Sequence, residues 1–179
     1  MEYYTSKIQL RKSVINDVFS EITANKKMLV FGLGYDSQMW YEGNNKNTFF
    51  VENKDFYIQL NINNIPANNI IKYDYKTTCS SSFELTDDEI NNFIIPEKIV
   101  NEGPFDIIII DGPEGMSSNS PGRLIPCYWS TKLSKPGTLI YLDDIHRPLE
   151  HFCVQKYFKD FSIQKIHNTN TVKICVALN

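Results

Sequence analysis

The sequence predicts an α/β fold in three layers, with helices on both faces of a mostly parallel, seven-stranded sheet whose C-terminal strand runs antiparallel. Three observations carry that expectation. Met28-Leu29-Val30-Phe31 is an apolar run that enters Gly32-Leu33-Gly34, as a strand covered on both faces does when it turns tightly into a helix. Ile107 to Ile110 is a second such run, ending on Asp111. Between and after them strands and helices alternate, until Asn168-Thr169-Asn170 joins two closing strands as a hairpin.

In chain order, Ile8, Val14, Ile15, Val18, Phe19 and Ile22 recur near helical spacing and predict an amphipathic helix between Thr5 and Ala24 that covers one face of the sheet. The glycine turn leads into a helix over Gln38 to Glu42, ended by Gly43-Asn44-Asn45. Thr48 to Glu52 is then a β-branched and aromatic strand. Phe56 to Ile65 reads as a helical link and Ile70 to Tyr73 as the third strand. Thr86 with Glu89 makes a capping box after the serine-rich loop. Gly103-Pro104 introduces the isoleucine strand, and Pro121-Gly122-Arg123 precedes a helix to about Leu133. Thr138 to Leu142 is the fifth strand, Leu149 to Phe158 the last helix, and Phe161 to His167 with Thr171 to Leu178 the closing pair. Trp40 and Trp129 fall on helices and are expected in the core.

The 179 residues fit one domain over 1–179, with 1–25 a helical segment packed on it. Hydrophobic residues make up 42% and charged residues 22%, and the net charge of −3 argues against the basic face that a nucleic acid needs. Met1 to Thr5 is polar and aromatic, without the apolar run of a signal peptide or membrane span, so a cytoplasmic protein with no membrane partner is expected. Cys79, Cys127, Cys153 and Cys175 lack metal-ligand spacing and are expected as free thiols.

Two glycines after a strand either turn the chain or also bare its N–H groups to a ligand. Ser37 stands where the dinucleotide fingerprint wants its third glycine, which disfavours a nicotinamide site. A nicotinamide-dependent sugar-nucleotide oxidoreductase would also require a Tyr-x-x-x-Lys pair or an equivalent, and none is expected here. Glu52 lies roughly 20 residues beyond the turn, at the strand end from which an acid bonds the ribose hydroxyls of an adenosine. Asp111 emerges where ligands of open α/β sheets bind. Asp143 and Asp144 end the next strand, where paired acids either join a site or cap the following helix.

Five motifs in order are Phe31-Gly32-Leu33-Gly34-Tyr35-Asp36-Ser37-Gln38-Met39-Trp40, Phe50-Val51-Glu52, Ile110-Asp111-Gly112-Pro113-Glu114-Gly115, Pro121-Gly122-Arg123 and Asp144-Ile145-His146-Arg147-Pro148-Leu149-Glu150. Together they resemble the plant polysaccharide-biosynthesis methyltransferases, the family of the glucuronoxylan 4-O-methyltransferases and the irregular-xylem proteins, over about Lys7 to Phe158. The resemblance implies a Rossmann-like class I methyltransferase sandwich, S-adenosylmethionine as methyl donor, and a sugar or glycan hydroxyl as acceptor. Carried over to this chain, it has Gly32, Gly34 and Asp36 shape the methionine pocket, Glu52 hold the ribose, and Asp111, Arg123 and the turn from Asp144 to Arg147 face the acceptor; Ser37 and Asp111 are expected among the donor-binding residues as well.

Asp111, Asp144 and His146 are then the candidate catalytic groups. Arg123 and Arg147 would bind an acidic sugar's carboxylate, or else pair with the neighbouring acids. Asp111, Asp143 and Asp144 also resemble the acidic site of catechol-type O-methyltransferases, which implies a divalent cation such as magnesium. A non-catalytic binding module of the same fold is the alternative from outside the enzymes.

Overall fold

The structure is a computed structural model and describes residues 5–177. Of the elements expected from the sequence, the polar start at Met1–Tyr4 and the strand end at Leu178 lie outside the described residues. The strands are β1 (Met28–Phe31), β2 (Thr48–Glu52), β3 (Ile70–Lys72), β4 (Phe105–Ile110), β5 (Ser134–Leu142), β6 (Ser162–Lys165) and β7 (Val172–Cys175). They form one seven-stranded sheet in the order β3-β2-β1-β4-β5-β7-β6. All neighbours from β3 to β5 are parallel, and β7 runs antiparallel between β5 and β6.

Every residue of β1 is buried, because successive side chains leave opposite faces and both faces are covered. Met28, Val30, Ile107, Ile109 and Tyr141 pack on one side with α1 (Lys12–Glu21) and α2 (Ser37–Gly43), and with the apolar edge of α3 (Asp55–Asn61). Leu29, Phe31, Ile108, Ile110 and Leu142 pack on the other with α4 (Asp87–Asn91), α5 (Glu97–Glu102), α6 (Leu124–Leu133) and α7 (Pro148–Tyr157). Each buried isoleucine contributes about 1.5–3 kcal/mol, so the run in β4, split between the two cores, holds the layers together. Trp40 and Trp129 are fully buried, the capping box at Thr86 forms, and all four cysteines are free.

Several boundaries differ from expectation for identifiable reasons. The first helix begins at Lys12, not near Thr5, and Ile8 and Leu10 reach the core from an irregular segment with extended Arg11 at its end. Periodicity alone does not separate those two arrangements. The short α5 was not expected, since it offers only Ile99 to the core and so has too few apolar positions to show a period. β5 starts at Ser134, which pairs with Phe105; a register shift between Phe105 and Ile107 then carries the strand past Pro136-Gly137 before pairing with β4 resumes at Leu139.

β1 connects to β2 on one side, while its other neighbour is β4. The carboxyl ends of β1 and β4 therefore meet at the point where the strand order reverses, which is where open α/β sheets bind ligands.

Candidate functional site

A cleft of about 480 Å³ opens at that point, within the range of roughly 300–1,000 Å³ usual for small-molecule sites. Its floor is made by two loops pressed glycine to glycine. Gly32 has φ +112°, a conformation that side chains rarely adopt, and a Cβ there would lie 3.2 Å from Gly112 N. A Cβ on Gly112 would lie 2.7 Å from Gly32 Cα, so neither position has room for one. This contact seats Asp111 beside the glycine turn.

Glu52, at the end of β2, is 5% exposed and lines the same cleft. Its Oε2 accepts from Leu33 N at 2.8 Å, and its Oε1 accepts from Asn53 N and Lys54 N, both at 2.7 Å. Burial pushes its carboxyl up, against the pull of those three N–H groups. A carboxylate has about four acceptor positions, so roughly one remains on Oε2. Asp36 also lines the cleft. Its Oδ2 accepts from Trp40 Nε1 at 2.8 Å, and burial raises its carboxyl.

The acidic side of the cleft is organised by Arg123, which is 3% exposed at the start of α6. Nη1 donates to Asp143 O at 2.7 Å. Nη2 donates to Asp111 O at 2.8 Å and faces Asp111 Oδ1 at 3.3 Å and Asp144 Oδ2 at 2.9 Å. Arg147 Nη2 reaches the same Asp144 oxygen at 2.9 Å. Asp144 has φ +60°, a left-handed conformation that aspartate tolerates better than most residues. Asp143 Oδ1 accepts from Thr171 Oγ1 at 2.5 Å, which ties the cleft to the closing hairpin.

Asp111 keeps 32% of its side chain open to the cleft. Its poorly hydrated position raises its carboxyl to about 8; Arg123 opposes that rise, and Asp36, Asp143 and Asp144 add to it. Oxygens of Asp111, Asp143 and Asp144 lie within 4.8 Å of one another, a set of hard donors suited to a divalent cation. Asp111 and Asp143 have oxygens free of the arginines, whereas Asp144 Oδ2 is shared between two guanidiniums.

The cleft thus gathers Gly32, Gly34, Asp36, Glu52, Asp111, Arg123, Asp143, Asp144 and Arg147. Two expected residues stand apart. Ser37 is fully buried and its Oγ accepts from Gly34 N at 2.8 Å, so it braces the turn from behind instead of facing the cleft. His146 is outside the lining, with 54% of its side chain exposed and Nδ1 4.0 Å from Asp144 Oδ1. Arg123 is an internal anchor, with all three of its nitrogens engaged by the chain. The Tyr-x-x-x-Lys spacing does occur, at Tyr128 and Lys132 on α6. Tyr128 donates to Asn91 Oδ1 at 2.5 Å, and both residues line a different hollow.

Other lining residues were not anticipated. Lys7 to Leu10 form one wall, with Lys7 Nζ 5.1 Å from the centre of the Tyr35 ring. Lys54 and Glu114 form an ion pair across the rim. The alternation of buried Ile8 and Leu10 was the available signal for the wall. The ion pair joins residues 60 positions apart and leaves no local trace.

No family model matches the sequence. Among curated proteins the chain is similar to Glucuronoxylan 4-O-methyltransferase 2 of Arabidopsis thaliana, 26% identical over 181 residues covering 84% of this chain and 61% of the relative. It is also similar to Protein IRX15-LIKE of the same plant, 24% identical over 169 residues covering 80% and 53%. The chain spans half to three fifths of the length of these relatives. A solved methyltransferase from Pyrococcus furiosus superposes with a TM-score of 0.58 at 16% identity, covering 98% of this chain and 88% of that one. The MycE methyltransferase of the mycinamycin biosynthetic pathway, in complex with Mg and SAH, gives 0.56 at 14%, covering 98% and 53%. The resemblance expected from the motifs holds, and the fold is the Rossmann-like class I methyltransferase sandwich. Among the described residues no helix is long and apolar enough to cross a membrane.

Proposed function

We propose that this chain, similar in sequence to the plant glucuronoxylan 4-O-methyltransferases and built on the class I methyltransferase fold, transfers a methyl group from S-adenosylmethionine to a sugar hydroxyl. One observation carries the reading: the glycine turn, the Glu52 carboxylate and the Asp111 carboxylate face a single cleft at the switch point of the sheet. The donor supplies a methyl group on a sulfonium centre. In this reading Gly32 and Gly34 leave the main chain bare beside the methionine portion, Asp36 flanks it, and the remaining position on Glu52 Oε2 takes a ribose hydroxyl.

Transfer forms a carbon–oxygen bond to the acceptor as the carbon–sulfur bond breaks, and the hydroxyl proton needs somewhere to go. In this reading Asp111 takes it. A carboxyl raised to about 8 holds a proton better than an ordinary aspartate, and such general-base assistance contributes roughly 10² to 10⁴ in rate. Alignment of the hydroxyl with the methyl group supplies a further 7 to 11 kcal/mol, to order of magnitude. Arg123 keeps Asp111 fixed through both its carbonyl and its carboxylate.

The alternative to Asp111 as base is a divalent cation such as magnesium, which would be held by Asp111, Asp143 and Asp144 and would lower the pKa of a coordinated hydroxyl. Arg147, with 20% of its side chain exposed on the cleft wall, suits an acidic sugar. His146, outside the lining, is a weaker candidate for the base than Asp111.

Calorimetry with S-adenosylmethionine and with NAD, followed by mass spectrometry of oligosaccharides and sugar nucleotides incubated with labelled donor, tests the proposal. Donor binding and a gain of one methyl are expected. Binding of NAD alone would favour an oxidoreductase, and donor binding without transfer to any saccharide would favour a binding module.

A further inference from the structure

Glu150 lies in the first turn of α7, is fully buried, and neither of its carboxylate oxygens has a hydrogen-bond partner. Burial pushes its carboxyl up, and the ionised form without a partner is strongly disfavoured, so Glu150 carries its charge only in a state of the molecule that brings a partner within reach. Two guanidiniums are its electrostatic neighbours. Arg123 is committed to Pro113 O, Asp143 O, Asp111 and Asp144. Arg147 is held at one end by Asp144 through Nη2, while its Nη1 faces Gly115. A Cβ on Gly115 would fall 2.8 Å from Glu150 Oε1 and 3.4 Å from Arg147 Nη1, so the bare α-carbon keeps a passage open between the two side chains.

We propose that Arg147 has two positions, with its guanidinium passing from Asp144 to Glu150 when a ligand in the cleft engages the Asp144 carboxylate; Glu150 is the positioning residue that receives it. Asp144 Oδ2 now faces two guanidinium nitrogens at 2.9 Å each, which leaves that oxygen little capacity for a third partner. The exchange frees it without stranding a charge. One carboxylate gives up a cation as its ligand arrives, and the buried carboxylate gains it. Arg147 lines the cleft and Glu150 does not, so the move also draws the arginine back from the wall. The identity of the ligand as a sugar hydroxyl rests on the transferase reading above, whereas the exchange rests on the geometry around Gly115.

Asp144→Asn removes the charge that holds Arg147 and imitates the engaged state. In a crystal structure of that variant, a guanidinium nitrogen of Arg147 is expected within about 3 Å of a Glu150 oxygen. Arg147 remaining on residue 144, or turned to solvent, would overturn the exchange.

Gly115→Ala is the second variant, usable even where Asp144→Asn does not fold. It places a methyl group in the passage against the flexible end of Glu150. Affinity for S-adenosylhomocysteine should stay within about twofold, while kcat on glucuronic-acid-bearing xylo-oligosaccharides falls at least about tenfold. Unchanged kcat would overturn the proposal. A wild-type protein that binds no S-adenosylmethionine would instead sink the transferase reading and leave the crystallographic test standing.

Discussion

Leu33 donates its main-chain N–H to Glu52 Oε2 at 2.8 Å, so the acid at the end of β2 holds the turn at the end of β1. The residue proposed to bind ribose is therefore also a brace for the turn proposed to admit the donor. Both functions follow from one property, a buried carboxylate with acceptor positions pointing in several directions.

Glu52→Ala is accordingly expected to act on stability and affinity together. Three N–H groups lose their acceptor, at about 1–3 kcal/mol for each that water does not reach. S-adenosylhomocysteine affinity measured by calorimetry should fall at least about tenfold, in parallel with a lower midpoint of thermal unfolding. An unfolding shift with unaltered affinity would leave Glu52 the brace alone.

Asp111→Asn separates chemistry from folding. Turnover should drop by at least roughly 10² with donor affinity retained. The sign of its pH dependence follows from a carboxyl raised from 3.8 to about 8 in the folded, metal-free protein. The native state holds that proton more tightly than the unfolded chain. The stability it contributes is complete below the unfolded pKa of about 4, and is lost as pH rises through about 8. Thermal unfolding in chelator between pH 5 and 9 should therefore show the wild type losing stability relative to Asp111→Asn. Where transfer proceeds without a cation it requires the ionised form, so the wild-type rate in chelator should climb through the same upper range. Parallel stability curves would remove the shift from Asp111.

Chelation tests the acidic cluster. With a cation held by Asp111, Asp143 and Asp144, EDTA should abolish transfer and magnesium should restore it. Magnesium should also raise the unfolding temperature as it neutralises carboxylates that otherwise repel. Full activity in EDTA would assign the cluster to Arg123 and Arg147 alone.

What was legible in the sequence is what depends on neighbours along the chain. The runs at Met28–Phe31 and Phe105–Ile110 announce strands buried on both faces, and their ends mark the position of the cleft. Ser37 also had a local signal, but a short polar residue at a glycine position reads equally well as a ligand contact or as the acceptor for Gly34 N that it proves to be. Arg123 was legible as a charge beside acids; that all its nitrogens are used internally depends on Asp111 and Asp144, which lie 12 and 21 residues away. Glu150 was visible only as the end of a motif, because a missing partner is a property of packing.

Gly112→Ala asks whether the two pressed loops define the cleft. The added methyl group would meet Gly32 Cα at 2.7 Å and Phe31 O at 3.2 Å. These are backbone atoms at the end of the central strand, with no side chain that could swing aside, so the loops must separate. Overpacking of this kind costs about 1–3 kcal/mol, and the displacement falls on the main chain proposed to lie beside the donor. S-adenosylhomocysteine affinity should therefore fall by more than the stability loss alone explains, measured at a temperature where the variant is still fully folded. Affinity equal to wild type under those conditions would mean that the donor does not lie against Gly32.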